Sequence, residues 1–175
     1  MVSLLQILAF RIGSELSLES IGRDLQISKN TVEKYLDLFT KVFIIYPVQG
    51  FSRNRDNEIT KMKKWYFVDN GIRNAIINAF SPISLRDDTG KIWENYLNSE
   101  RRKKLAHQEI VHFEYFWRTH TKQEIDRIEE RNGKLSAFEY KWGNTPAKIP
   151  SEFAKSYTDA SFEVITQDNY LDFID

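Results

Sequence analysis

Apolar residues recur at helical spacing from the second residue of the chain. The stretch 2–12, VSLLQILAFRI, predicts a core helix with almost no leader, which fits a region cut from a longer protein. Leu18, Ile21 and Leu25 form one short apolar stripe, and Val32, Leu36 and Phe39 form another. Ser17 and Ser28 stand just ahead of these stripes as N-caps, since a serine hydroxyl accepts an unpaired N–H of the first turn. Helices over 18–25 and 29–41, joined by a three-residue turn carrying Ile27, make the helix-turn-helix pattern. The turn glycine common in that pattern is displaced: Gly22 falls inside the first helix.

The period then changes. Val42 to Val48 and Lys64 to Val68 read as two strands around a polar stretch, 51–63. A helix-turn-helix followed by such a hairpin is a winged helix. Asp69 or Asn70 caps a further helix running to about Phe80, and 81–90 is turn-rich. The expected organisation is therefore a winged-helix domain over 1–80, a linker over 81–89 and a second domain over 90–175.

That second domain opens with a helix over 91–106, whose apolar face is Ile92, Trp93, Tyr96 and Leu97. Strands follow over 109–118, 123–130 and 134–142, then a break at 143–146, a helix over 148–158, a strand over 161–166 and a terminal helix over 169–174. The order is αβββαβ, then α, and the fold class is α+β.

Asn132-Gly133 lies between two of these strands and is the strongest short hairpin signal. It pairs Arg131 with Lys134. Counting back pairs Asp126 with Glu139 and Glu124 with Lys141, and alternation puts all four side chains on one face. Directly opposed like charges destabilise a hairpin, so a cation must compensate. Two carboxylates and a lysine could hold Mg²⁺ and orient a water near a phosphodiester. The plainer alternative is that Lys141 simply neutralises both carboxylates on a solvated face.

Composition narrows the partners. The 25 Lys and Arg balance 25 Asp and Glu, so any nucleic-acid contact must come from a local patch. The best such patch is Arg53, Arg55, Lys61 and Lys63, with Lys64 adjoining. The second helix of the helix-turn-helix offers Lys29, Asn30, Thr31 and Lys34 against Glu33 and Asp37, a mixed face that suits DNA or another protein domain. The chain has no cysteine, which removes disulfides, thiolate catalysis and Cys-ligated zinc. No apolar run reaches membrane-spanning length, so no membrane partner is expected and the cytoplasm is the expected compartment. No G-x-x-x-x-G-K-[ST] occurs, so no P-loop ATP site is expected in this chain.

An acidic residue on the second strand and Glu139-Tyr-Lys141 on the third resemble the restriction-endonuclease-like PD-(D/E)xK superfamily. That resemblance implies a nuclease-like αβββαβ fold with site residues Glu94, Asp126, Glu139 and Lys141; Glu-Ile-Asp stands where the family has Pro-Asp. In an active member, Asp126 and Glu139 bind Mg²⁺ or Mn²⁺, Glu94 completes the site and Lys141 stabilises the attacking water. The segments TVEKYLDLF, KWYFVDNGIRNAI, KIWENYL, FWRTHTKQEIDRI and FEYKWG resemble, in order over roughly 3–175, an uncharacterised domain at the C-terminus of many bacterial and archaeal AAA+-type ATPases. This implies a winged helix fused to a nuclease-like fold, with an ATPase module upstream as partner. The expected function is a DNA- or partner-binding regulatory module. The alternatives are a Mg²⁺-dependent phosphodiester-cleaving nuclease and a structural module whose carboxylates only form salt bridges.

Overall fold

The structure, a computed structural model, describes residues 1–53, 63–143 and 145–175. They form two compact units, one of residues 1–47 and 63–99 and the other of 48–53 and 100–175.

The first unit holds α1 (Val2–Phe10), α2 (Leu18–Leu25), α3 (Lys29–Lys41), the start of β1 (Ile45–Gly50), β2 (Lys63–Phe67), α4 (Asn70–Ile76) and the first half of α5 (Thr89–His107). The expected caps form. Ser17 Oγ accepts the Ser20 N–H at 3.2 Å, Ser28 Oγ that of Thr31 at 3.1 Å, and Asp69 Oδ1 that of Ile72 at 3.0 Å. Gly22 lies inside α2, as expected, where the turn closes back against it, and the left-handed residue that ends the helix is Gln26 (φ 56). The Ile27 N–H donates to the Gly22 carbonyl at 2.9 Å, and a Cβ on Gly22 would lie only 2.7 Å from the Ile27 carbonyl oxygen. Leu4, Leu8 and Ile12 pack with Ile21, Val32, Leu36 and Phe39, and with Ile45, Trp65 and Phe67 from the strands. Each such burial contributes about 1.5–3 kcal/mol.

β1 starts three residues later than the pattern predicts. Val42, Phe43 and Ile44 close the end of α3 instead: Phe43 is left-handed (φ 58), its N–H donates to Thr40 at 3.1 Å, and the Ile44 N–H reaches Phe39 at 2.9 Å. This is a Schellman closure, which satisfies carbonyls that would otherwise be orphaned. The segment after α1 runs beside β2, with an antiparallel bridge between Glu15 and Lys64 and a Gly13 N–H bond to the Trp65 carbonyl at 3.2 Å.

The second unit holds β3 (Phe113–Arg118), β4 (Glu124–Arg131), β5 (Lys134–Tyr140), α6 (Ser151–Ser156), β6 (Ser161–Ile165) and α7 (Tyr170–Ile174). The six strands lie in the order β2-β1-β3-β4-β5-β6. The end of β1 is parallel to β3, β3-β4-β5 are antiparallel, and β6 is parallel to β5. The α+β class is as expected. Asn132 and Gly133 both take positive φ (50 and 76), and Arg131 pairs with Lys134. Trp117, Ile125, Ile128, Leu135 and Ala137 pack against Phe153 and Tyr157. Among the described residues, no helix is long and apolar enough to cross a membrane.

Candidate functional site

The β4–β5 ladder runs from Arg131↔Lys134 to Arg127↔Phe138. The register agrees with the turn signal as far as Arg127↔Phe138, one position short of Asp126 and Glu139. On the other side of β4 the pairing slips. Tyr115 faces Ile128, whereas Trp117 faces Ile125, so β4 advances three residues while β3 advances two. The extra residue falls at Asp126–Arg127. A bulge of this kind re-aims side chains and is over-represented next to active sites. Here the Asp126 Oδ2 accepts the backbone N–H of Tyr140 at 2.8 Å.

Glu139 Oε1 accepts the Lys141 ammonium at 2.6 Å, and their side chains are 17% and 34% exposed. Lys141 lies one residue past β5, and its own N–H donates to the Ile165 carbonyl at 2.9 Å. β6 therefore fixes the backbone from which the lysine reaches back. The β4–β5 ladder stops at Arg127↔Phe138, short of the expected Glu124–Lys141 pair. β5 ends before Lys141, and Glu124 pairs across β3 with Arg118, carboxylate to guanidinium at 3.8 Å.

Glu94 belongs to the first unit. Its Oε1 accepts the Tyr66 hydroxyl at 2.6 Å and the Lys64 ammonium at 3.3 Å. Gly13 lies against the same carboxylate: a Cβ there would stand 3.2 Å from both oxygens. Lys64, expected beside the basic patch, is instead turned inward with a side chain only 3% exposed. It is the internal counter-ion of Glu94, not a phosphate contact, because an ammonium this deeply buried requires a paired anion.

Carboxylate oxygens are the right kind of donor for Mg²⁺ or Mn²⁺. Asp126 and Glu139 each have one oxygen committed, to the Tyr140 amide and the Lys141 ammonium. Among the described residues, no group of three or more His, Cys, Asp or Glu side chains is placed to hold a metal ion. The donor set thus fits a divalent cation in kind but is short in number.

On α3, Lys29 pairs with Glu19 at 2.7 Å and Lys41 with Asp37 at 2.6 Å. The Thr31 hydroxyl is within 2.9 Å of Ser28 Oγ, in the cap. Asn30 and Lys34 are exposed. The Arg53 guanidinium pairs with Glu130 at 2.8 Å, and Lys63 is exposed at the start of β2. Arg55 and Lys61 lie outside the described residues.

Two charge networks escaped the sequence reading. In the first unit, Asp88 takes a two-pronged bond from Arg86, at 2.8 Å to each oxygen, and a third bond from buried Arg73 at 2.5 Å. These guanidinium bonds, Arg86 first, hold the Asp88 carboxyl at about 2 against burial. In the second unit, Glu114 and Glu129 sit among Arg101, Arg102, Arg127 and Arg131. The signal for the second was present in Arg127, Glu129 and Arg131, charged residues at every other position of β4.

Residues 1–83 match one domain of unknown function, DUF8612, and residues 89–171 match another, DUF4143. The chain is 25% identical over 142 residues to the uncharacterized protein Mb2031c of Mycobacterium bovis, covering 80% of this chain. It stands at the same 25% identity over 142 residues to the uncharacterized protein Rv2008c of Mycobacterium tuberculosis. The match spans only 31% of the length of these relatives. No solved structure matches the chain.

Proposed function

We propose that this chain is a regulatory docking region of a larger ATPase, in which a winged-helix first unit binds the ATPase module through the end of α3. The observation that carries this reading is the character of the exposed side of α3. Two of its lysines are neutralised by Glu19 and Asp37, while Leu38, Val42 and Phe43 are 43%, 52% and 77% exposed. A DNA reader needs uncompensated cations on that helix; clustered apolar side chains beside neutralised charge suit a protein surface. The element order α1, Glu15 bridge, α2, α3, β1, β2 supports the winged helix. The sequence α5-β3-β4-β5-α6-β6 supports a nuclease-like second unit. The relatives are mostly chain outside the matched part, which supports a larger parent.

The test is a titration of the chain against the separately purified remainder of its parent and against duplex DNA at low salt. Association with the remainder, lost in Leu38→Ser/Phe43→Ser, is expected. Salt-sensitive duplex binding that survives those changes would overturn the reading in favour of DNA.

A second reading, a metal-dependent nuclease, is supported by the bulge at Asp126–Arg127 and by the bond that Asp126 accepts from the Tyr140 N–H, next to Glu139 in sequence. On that reading Asp126 and Glu139 would hold the metal, which would supply Lewis acidity at a phosphate, and Lys141 would steady the developing charge.

A further inference from the structure

We propose that the second unit carries a pocket for a phosphate ester of about nucleotide size, at the turn end of the β4–β5 hairpin. The proposal is independent of the α3 docking surface and of the Asp126–Glu139 pair.

The pocket is open and about 870 Å³ in volume. One wall is the hairpin turn, with Gly133 and Lys134. The end of α6, with Lys155 and Ser156, the link from Tyr157 to Ala160, and Arg53 complete the lining. Its charge is lopsided: Arg53, Lys134 and Lys155 face a single acid, Asp159. Arg53 is partly answered by Glu130 at 2.8 Å. Lys134 and Lys155 are both exposed, and among the described residues neither side chain makes an ion pair or a hydrogen bond. This separates them from Lys29, Lys41, Lys64 and Lys141, each of which has a carboxylate within 3.3 Å.

Two lysines lining one pocket without a carboxylate partner gain from a shared anion. Ser156 and Thr158 add hydroxyl donors, and Leu135 with Tyr157, each 7% exposed, add an apolar floor. Convergent polar groups over an apolar floor are what small-ligand sites present. Cations and hydroxyls together fit the oxygens of a phosphate, and the floor fits an organic group attached to it. A volume of about 870 Å³ suits a compact ester. The pocket also stands apart from the acidic pair. Arg131 lies five positions along β4 from Asp126, or roughly 16 Å along the strand.

The test titrates the full chain by NMR with a nucleoside monophosphate, with inorganic phosphate and with a single-stranded oligonucleotide. Saturable shifts centred on Lys134, Lys155 and Thr158 are expected for the monophosphate, with inorganic phosphate weaker. Lys134→Glu/Lys155→Glu should weaken binding at least about tenfold, through lost charge-assisted bonds. The milder Lys134→Ala/Lys155→Ala should weaken it less, with the melting temperature unchanged. No shift up to about 10 mM, beyond any specific Kd, would overturn the proposal. So would unchanged affinity in the charge-reversed variant, or oligonucleotide binding that needs both lysines when the monophosphate does not bind.

Discussion

Glu114 and Glu129 stand directly opposite each other on β3 and β4. Glu129 is 1% exposed, so two like charges share a nearly dry site. Arginines hold them there. Arg101 grips Glu129 with two bonds at 2.9 and 3.1 Å, and Arg131 takes its second oxygen. Arg127 bridges the pair, at 2.8 Å to Glu129 and 3.1 Å to Glu114, and Arg102 adds 3.0 Å to Glu114. Burial alone would push the Glu129 carboxyl up. The Arg101 hydrogen bonds and the charges of Arg127, Arg101 and Arg131 reverse that and bring it to about 2.

Removing the anion from this cluster should be costly. Glu129→Gln leaves the fully buried Arg127 with Glu114 as its remaining carboxylate partner, beside Arg101 and Arg131. A loss of about 3–5 kcal/mol is expected, as for other buried pairs broken on one side. Urea unfolding of the variant against the parent measures it.

Acid should undo both networks. Glu129 and Asp88 are both held at about 2, from ordinary values of 4.5 and 3.8. A depressed folded pKa gives stability that is complete above the ordinary value and lost as pH falls through the folded value. The window is therefore about pH 4.5 down to 2. The loss should be on the order of 3 kcal/mol for Glu129 and about 2 kcal/mol for Asp88, at 1.36 kcal/mol per pKa unit. Thermal melts across that window should steepen with acid, and Asp88→Asn should flatten the part owed to the first unit.

Two glycine substitutions should move stability in opposite directions. Gly13 has φ +69, and a Cβ there crowds the Glu94 carboxylate at 3.2 Å. Gly13→Ala should cost about 1–3 kcal/mol and push Glu94 away from Tyr66 and Lys64. Gly90 lies in α5, and a Cβ added to it would meet nothing within 4 Å. Gly90→Ala should stabilise by roughly 0.5–1 kcal/mol, through helix propensity and a less free unfolded chain. Paired melting curves decide both.

Divalent metal separates the two functional readings. If Asp126 and Glu139 bind Mn²⁺, a free concentration about 100 times Kd should stabilise the fold by roughly 2.7 kcal/mol, and Asp126→Ala should abolish the gain. An unchanged melting temperature in both Mg²⁺ and Mn²⁺ would remove the nuclease reading and leave Lys141 as a permanent counter-ion to Glu139.

Local chemistry made much of this chain legible. The serine caps, the helices over 18–25 and 29–41, and the Asn132-Gly133 register depend on residues a few positions apart, and they stand as read. Features set by distant packing were not legible. Nothing near Lys64 in sequence announces that it turns inward to Glu94, thirty residues away. The bulge at Asp126 follows from how β4 meets β3, not from the β4–β5 turn. The rule that opposed carboxylates need a cation was sound for Glu139, which Lys141 answers. Its largest instance, Glu114 opposite Glu129, was hidden because the answering arginines come from α5 as well as β4.

The parallel pairing of β1 with β3 sets a timetable for the ribosome. Gln49 meets Tyr115 and Gly50 meets Phe116, sixty-six residues further along in each case. At roughly 5–20 residues per second, that interval is on the order of 3–13 s of synthesis. Throughout it, one edge of β1 has emerged while its partner does not yet exist. An open strand edge is a template for mispairing. The nascent chain is thus most exposed to aggregation in the seconds before β3 arrives, and slowing translation between the two strands should lower the soluble yield.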